Sequence, residues 1–191
     1  MLENLFKYIN TIRPITDEIK EVLTRDFEII EVPKKHMILK DGQVCDYIFI
    51  VVKGLLRKYY IKDGEEVCSL FMDENRLTMC VNSFYNRTPG YEYIEAMEPS
   101  TIARIHYTKL QNIYKEHEYF NYIARVITEQ YFIRSEERLY LLRKQSAEER
   151  YVYFVDHYPS IMQRVPLKYI ATYLGLTLET ISRIRKKLSE R

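Results

Sequence analysis

Residues 165–188, VPLKYIATYLGLTLETISRIRKKL, constrain the fold more than any other stretch of the chain. Ile170, Ala171 and Leu174 set an apolar stripe at helical spacing. Gly175 follows, where a helix stop calls for a residue that tolerates positive φ. Leu176 can fill the space behind the turn, and Thr177 can cap a second helix by accepting a backbone N–H. Glu179 in its first turn suits the helix dipole, and Ile181, Ile184 and Leu188 mark its buried face. Ala171 is small where two such helices would cross.

Two short helices with a tight turn between them form a helix-turn-helix, whose second helix can enter the major groove of DNA. On that helix Glu179, Ser182, Arg183 and Lys186 stay clear of the apolar face. Arg183 can pair bidentately with guanine and Glu179 can accept from the cytosine amino group; the plainer role for Glu179 is to complement the helix N-terminus. Residues 160–191 carry seven Lys and Arg, among them Arg191, against Glu179 and Glu190. That local excess suits a polyanion. The candidate DNA contacts are Lys168, Thr177, Leu178, Glu179, Ser182, Arg183 and Lys186. Without DNA, the same pattern describes a helical hairpin with a solvated basic face.

The remainder has a different rhythm. Residues 3–12 and 16–25 alternate as two amphipathic helices around Pro14, the second capped by Thr16 or Asp17. From Phe27 the period becomes that of strands, through YIFIVVK at 47–53, LLRKYYI at 55–61, Val67–Met72, Tyr93–Glu95 and Thr101–His106. Lys62-Asp63-Gly64 is a hairpin signal, and residues 74–91 carry loop residues. Many short strands at close spacing predict an antiparallel barrel or β-roll. From about Glu116 to Gln145 there is no Gly or Pro, which predicts one long helix. Phe120, Ile123, Ile127, Tyr131 and Arg134 lie on one face of it, and Tyr119, Tyr122, Val126, Ile133 and Tyr140 on another. A helix apolar on two sides must be covered on two sides, here by its own β-roll and by the same helix of a second chain, with the Phe120–Arg134 face as the dimer interface. The alternative is a single long helix buried within one domain. Residues 148–158 form one more helix, ended by Pro159.

Composition excludes several classes. With 47% hydrophobic and 29% charged residues, the 191-residue chain is a globular one. Its N-terminus lacks a signal-peptide pattern and no run is long enough for a membrane span, so a cytoplasmic protein is expected. Cys45, Cys68 and Cys80 are odd in number and in no CxxC arrangement, so neither a disulfide framework nor zinc is indicated. His36, His106, His117 and His157 form no HxH pattern. A β-barrel metalloenzyme or cupin-like binding protein, the competing reading with a helical tail that does not bind DNA, would need clustered ligands.

The order of helices, β-roll, long helix and helix-turn-helix resembles the Crp/Fnr superfamily of bacterial transcription regulators. The resemblance rests on Gly54 after YIFIVVK, the turn at Lys62-Asp63-Gly64, Ile105-His106-Tyr107 before the helix, and Leu176–Arg183, which is similar to the family's recognition-helix motif. It implies an α+β chain: a cyclic-nucleotide-binding-like β-roll sensor at 1–115, a dimerisation helix at 116–145 and an all-α DNA-binding domain at 146–191. It also implies a homodimer on a pseudo-palindromic double-stranded operator, with RNA polymerase and a small-molecule effector as further partners. No enzymatic activity, cofactor, metal or membrane is implied.

Two departures stand out. Leu178 occupies a position where the family usually has arginine. The loop TMCVNSFYNRTPGYEYIEAM lacks both the Gly-Glu and the Arg-Ser pair that hold a cyclic phosphate, with Gly90-Tyr91 about where Arg-Ser would stand and Arg87 out of register. Cyclic AMP is therefore not the expected effector, and three scattered cysteines do not match the four that hold an iron–sulfur cluster in oxygen-sensing members. A less charged effector would have Asn82, Ser83, Tyr131 and Ser135 as candidate contacts. No β-hairpin wing is expected before the last residue.

Overall fold

The computed structural model describes residues 2–190. Helices α1 (Glu3–Ile12) and α2 (Asp17–Asp26) open the chain, and the Thr16 hydroxyl caps α2 by accepting the Ile19 N–H. Eight strands follow: β1 (Phe27–Val32), β2 (Met37–Leu39), β3 (Tyr47–Lys53), β4 (Leu56–Lys62), β5 (Glu65–Met72), β6 (Leu77–Thr78), β7 (Tyr93–Ala96) and β8 (Ser100–His106). They form two antiparallel four-stranded sheets, ordered β1-β8-β3-β6 and β2-β7-β4-β5. Asp63 and Gly64, both at positive φ, make the two-residue turn of the β4–β5 hairpin, which pairs Lys62 with Glu65. Gly54, between β3 and β4, has φ of +104°, and a Cβ there would lie 2.3 Å from Ser100 Oγ.

Helix α3 (Val81–Asn86) interrupts the stretch whose composition predicts only loop. Its single buried turn, Ser83-Phe84, is too short to give a periodic signal. After β8 come α4 (Tyr107–Glu116) and α5 (Glu118–Lys144), separated at His117. Pro159 does not merely end α6 (Ala147–His157). It occupies the first turn of a further helix, α7 (Pro159–Arg164), where its missing N–H costs nothing. Helices α8 (Leu167–Leu174) and α9 (Leu178–Ser189) complete the chain.

Two apolar clusters organise these elements. The first fills the β-roll and takes in α1, α2, α4 and the start of α5, with Phe49, Phe84, Ile102 and Ile123 among its buried members. The second joins Leu55, Tyr59, Cys68 and Phe71 of the β-roll to Phe154, Ile170, Leu174, Ile181 and Ile184 of the C-terminal helices. The β-roll and the helix-turn-helix therefore share one core. All three cysteines are buried thiols, and the Cys80 N–H donates to Cys45 Sγ at 3.4 Å.

Helix α5 overturns the expected dimer face. Phe120 and Ile123 are buried against the chain's own β-roll, and Ile127 packs on the same core. Tyr131 and Arg134 face a cavity between α5 and the roll. The face offered to solvent is the opposite one, with Tyr122, Phe132, Ile133, Leu139 and Tyr140 exposed. Periodicity finds two apolar faces but not which of them the roll covers.

Candidate nucleic-acid interface

The turn between α8 and α9 is built from backbone hydrogen bonds. Gly175, at φ +64°, donates to Thr172 O at 3.1 Å, and Leu176 donates to Ala171 O at 2.9 Å. This pair of bonds is a Schellman stop. Arg150 of α6 adds a third cap, donating to Leu174 O at 2.6 Å. The Thr177 hydroxyl accepts the Thr180 N–H at 3.2 Å and starts α9. Ala171, Ile181 and Ile184 are buried where the helices meet.

On the outer side of α9, Leu178, Glu179, Ser182, Arg183 and Lys186 are all exposed, with Thr177 at its cap and Lys168 exposed on α8. The structure thus leaves the α9 members of the sequence-predicted set together on its outer side, with Lys168 exposed on the preceding helix. Arg183 Nη2 donates to Thr180 Oγ1 at 3.4 Å, which leaves its other donors open. The Glu179 carboxyl sits below the usual glutamate range because it accepts from its own backbone N–H and from Thr177, with Arg183 a lesser influence. Glu179 is thus an anion at the helix N-terminus. Lys187 turns away to pair with Glu148 of α6 at 2.5 Å. Arg191 of the basic tail lies outside the described residues.

The interface is held in place from behind. Thr172 Oγ1 of α8 accepts the Cys68 N–H of β5 at 3.1 Å. Arg57 of β4 is 2% exposed and donates to Glu95 at 2.6 Å and Glu66 at 2.7 Å, while its guanidinium lies between the rings of Tyr59 and Tyr169, at 4.2 and 4.0 Å. Arg164 of α7 reaches Glu74 at 3.0 Å and Glu98 at 2.6 Å.

Comparison with known proteins fits this geometry. Residues 29–117 match the model of the cyclic nucleotide-binding domain, and residues 169–191 that of the bacterial regulatory proteins of the crp family. The chain belongs to the Crp/Fnr superfamily of transcription regulators. Among solved structures it is similar to CLP, the c-di-GMP responsive global regulator of Xanthomonas campestris, at 14% identity over 92% of each chain with a TM-score of 0.73. FixK2 of Bradyrhizobium japonicum matches at 21% identity over 86% of this chain and 85% of that one, TM-score 0.69. A CooA variant from Carboxydothermus hydrogenoformans matches at 20% over 97% and 84%, TM-score 0.69. At these identities the likeness is one of fold. No curated protein matches the chain.

Around α3 the polar side chains bond to their own neighbours. Arg87 forms an ion pair with Asp46, donates to Cys45 O at 3.0 Å and Phe84 O at 3.2 Å, and stacks on Tyr107. Ser83 is buried, accepting from the Cys45 N–H at 2.9 Å and donating to Thr88 O at 2.6 Å. Asn82 is exposed and bonded to Asn86. Ser83 and Asn82 do not line the cavity under α5: the period of α3 turns one into the core and the other into solvent. Tyr131 and Ser135 do border the cavity of about 530 Å³ under α5. Its other walls hold Lys58, Arg76 and Arg138, so the lining is cationic, contrary to the expectation of a weakly charged effector. Sequence reasoning missed Arg57, Lys58 and Arg138. Among the described residues no cluster of His, Cys, Asp and Glu could hold a metal, and no helix is long and apolar enough to cross a membrane.

Proposed function

We propose that this DNA-binding regulator acts as a homodimer that reads a two-fold operator with α9 and answers to an effector other than cyclic AMP. The observation that carries the reading is the outer face of α9, where Glu179, Ser182, Arg183 and Lys186 stand together, free of the Ile181/Ile184 face. Arg183 is assigned to a guanine and Lys186 to the phosphate backbone. Pairing runs through the exposed stripe of α5, where Tyr122, Ile133 and Tyr140 recur with heptad-like spacing. Against cyclic AMP stands the commitment of Arg87 and Ser83 to their own neighbours, because a cyclic phosphate needs donors to offset its desolvation. RNA polymerase is a further partner suggested by the family.

The test selects a bound sequence from random DNA and then compares variants on it. Arg183→Ala is expected to lose about 1–3 kcal/mol on the selected site and to relax one position. Lys186→Ala is expected to weaken all sequences alike and to lower the salt slope by roughly one. Equal losses on specific and random DNA for Arg183→Ala would reassign it to phosphate. Sedimentation of Ile133→Asp reads the dimer in the same samples: a monomer is expected, and an unchanged dimer would remove α5 as the interface.

A further inference from the structure

The cavity under α5 has an unbalanced charge. Lys58 is compensated by Glu92 at 3.2 Å and donates to Met79 O at 3.3 Å, and Arg76 is compensated by Asp73 at 2.6 Å. Arg134 and Arg138 have no such carboxylate among the described residues. They lie four apart on α5, so both guanidiniums reach the same wall of the cavity. Arg138 donates one N–H to Ser69 O, while its Nε is buried without a partner. A guanidinium donor shut away from water and left unpaired is costly.

The other end of the cavity is oily. A second, smaller space of about 120 Å³ shares Leu5, Ile50, Leu77, Ile127 and Tyr131 with the first, and runs on between Phe27, Ile48 and Tyr114. On the lining of the larger space, Tyr8 of α1 donates to Gln130 of α5 at 2.6 Å. The larger space falls within the range of about 300–1,000 Å³ usual for small-molecule sites. One end offers two guanidiniums without a carboxylate, and the other is mostly hydrocarbon and ring surface, with Tyr85 and Thr128 among its few polar members.

We propose that the effector is an amphipathic anion: a carboxylic acid whose head pairs with Arg134 and Arg138 and whose hydrocarbon tail enters the apolar extension. This rests on reading the cavity as the effector site. Two guanidiniums match a carboxylate by parallel N–H donors, and the tail leaves water for the surface between Phe27 and Tyr114. Arg138 also connects the site to the helix-turn-helix, because its guanidinium lies 4.4 Å from the ring centre of Tyr173 on α8. A carboxylate that draws Arg138 toward the cavity alters that stack.

Calorimetry on the full chain tests this with three probes: decanoate, 1-decanol (tail without charge) and acetate (charge without tail). Decanoate is expected to bind once per chain, at least about tenfold more tightly than either other probe. Arg134→Gln is expected to weaken decanoate by about tenfold while leaving decanol unchanged. Arg134 is exposed, so this substitution spares the fold. Absence of decanoate binding at millimolar concentration, equal binding of decanol, or an unchanged decanoate affinity in Arg134→Gln would each overturn the proposal. DNA affinity measured with and without decanoate is a separate readout. Tight binding of decanoate with no change at DNA would leave the ligand class standing and remove the cavity's regulatory role.

Discussion

The β-roll meets helices on two sides, and the two junctions are built on opposite principles. Toward the DNA-binding helices the contact is packed and ion-paired: Phe71, Phe154 and Tyr173 pack ring against ring, and Arg57 and Arg164 each find two carboxylates. Toward the middle of α5 the contact is hollow and leaves two guanidiniums without a carboxylate. The first arrangement supports a rigid orientation of α9. The second forgoes packing and leaves the space that the proposed ligand would fill. A regulator needs both, since a signal gathered at a soft site must be passed through a stiff one.

That contrast sets the order of expected effects. The largest is at Phe154, which is 1% exposed in the shared core. Phe154→Ala is expected to cost about 3–5 kcal/mol in urea unfolding and to lower the stability of the roll and the helices in one transition. Two separate transitions, with only one displaced, would show that the core is not truly shared. Arg57→Ala comes next, at about 3 kcal/mol, because it strands the largely buried Glu95, whereas Glu66 keeps access to water. A loss below about 1 kcal/mol would place Arg57 among ordinary surface pairs. Leu70→Ala, on the cavity wall, is expected to cost only about 1 kcal/mol, because part of its surface already faces void. A cost as large as that of Phe154 would mean the hollow junction is packed after all.

The smallest effect is acid loosening of the Arg164 clamp. Burial alone would raise the Glu74 pKa, but hydrogen bonds from Arg164 and the Gly54 N–H outweigh it and hold the carboxyl below its ordinary range. A depressed folded-state pKa gives stability that is complete above the unfolded value, near 4.3, and is lost as pH falls through the folded one. Wild type is therefore expected to lose a small increment of stability over that acid window, and Arg164→Ala to lose less of it. Identical acid profiles for the two would assign the clamp no energetic role.

The sequence carried the C-terminal motif almost entirely, because a helix stop, a cap and an apolar face leave local marks at Gly175, Thr177 and Ile181. The roll was legible as strands for the same reason. What escaped was long-range. Arg57 and Lys58 are neighbours in a strand, so they must point to opposite faces, and each charge then needs its own partner. That much was available from LLRKYYI, but the partners, Glu95 and Glu92, come from the β7 region and cannot be paired by counting. Helix α5 failed in a different way. Its two apolar faces are nearly equivalent in composition, and only the assembled roll breaks the tie in favour of burying Phe120 and Ile123. Asn82 and Ser83 went astray because a six-residue helix is too short to declare its inner side.

The hollow beneath residues 127–138 has a consequence for motion. On its roll side that part of α5 borders unfilled space, whereas Phe120 and Ile123 anchor its first turns in the core. Local opening is cheapest where few buried contacts must be broken. Backbone amides of residues 127–138 should therefore exchange with solvent deuterium faster than those of residues 120–124, although both belong to one helix. An occupant of the hollow would slow that exchange without moving an atom by much, so binding would be recorded as quieting rather than as displacement.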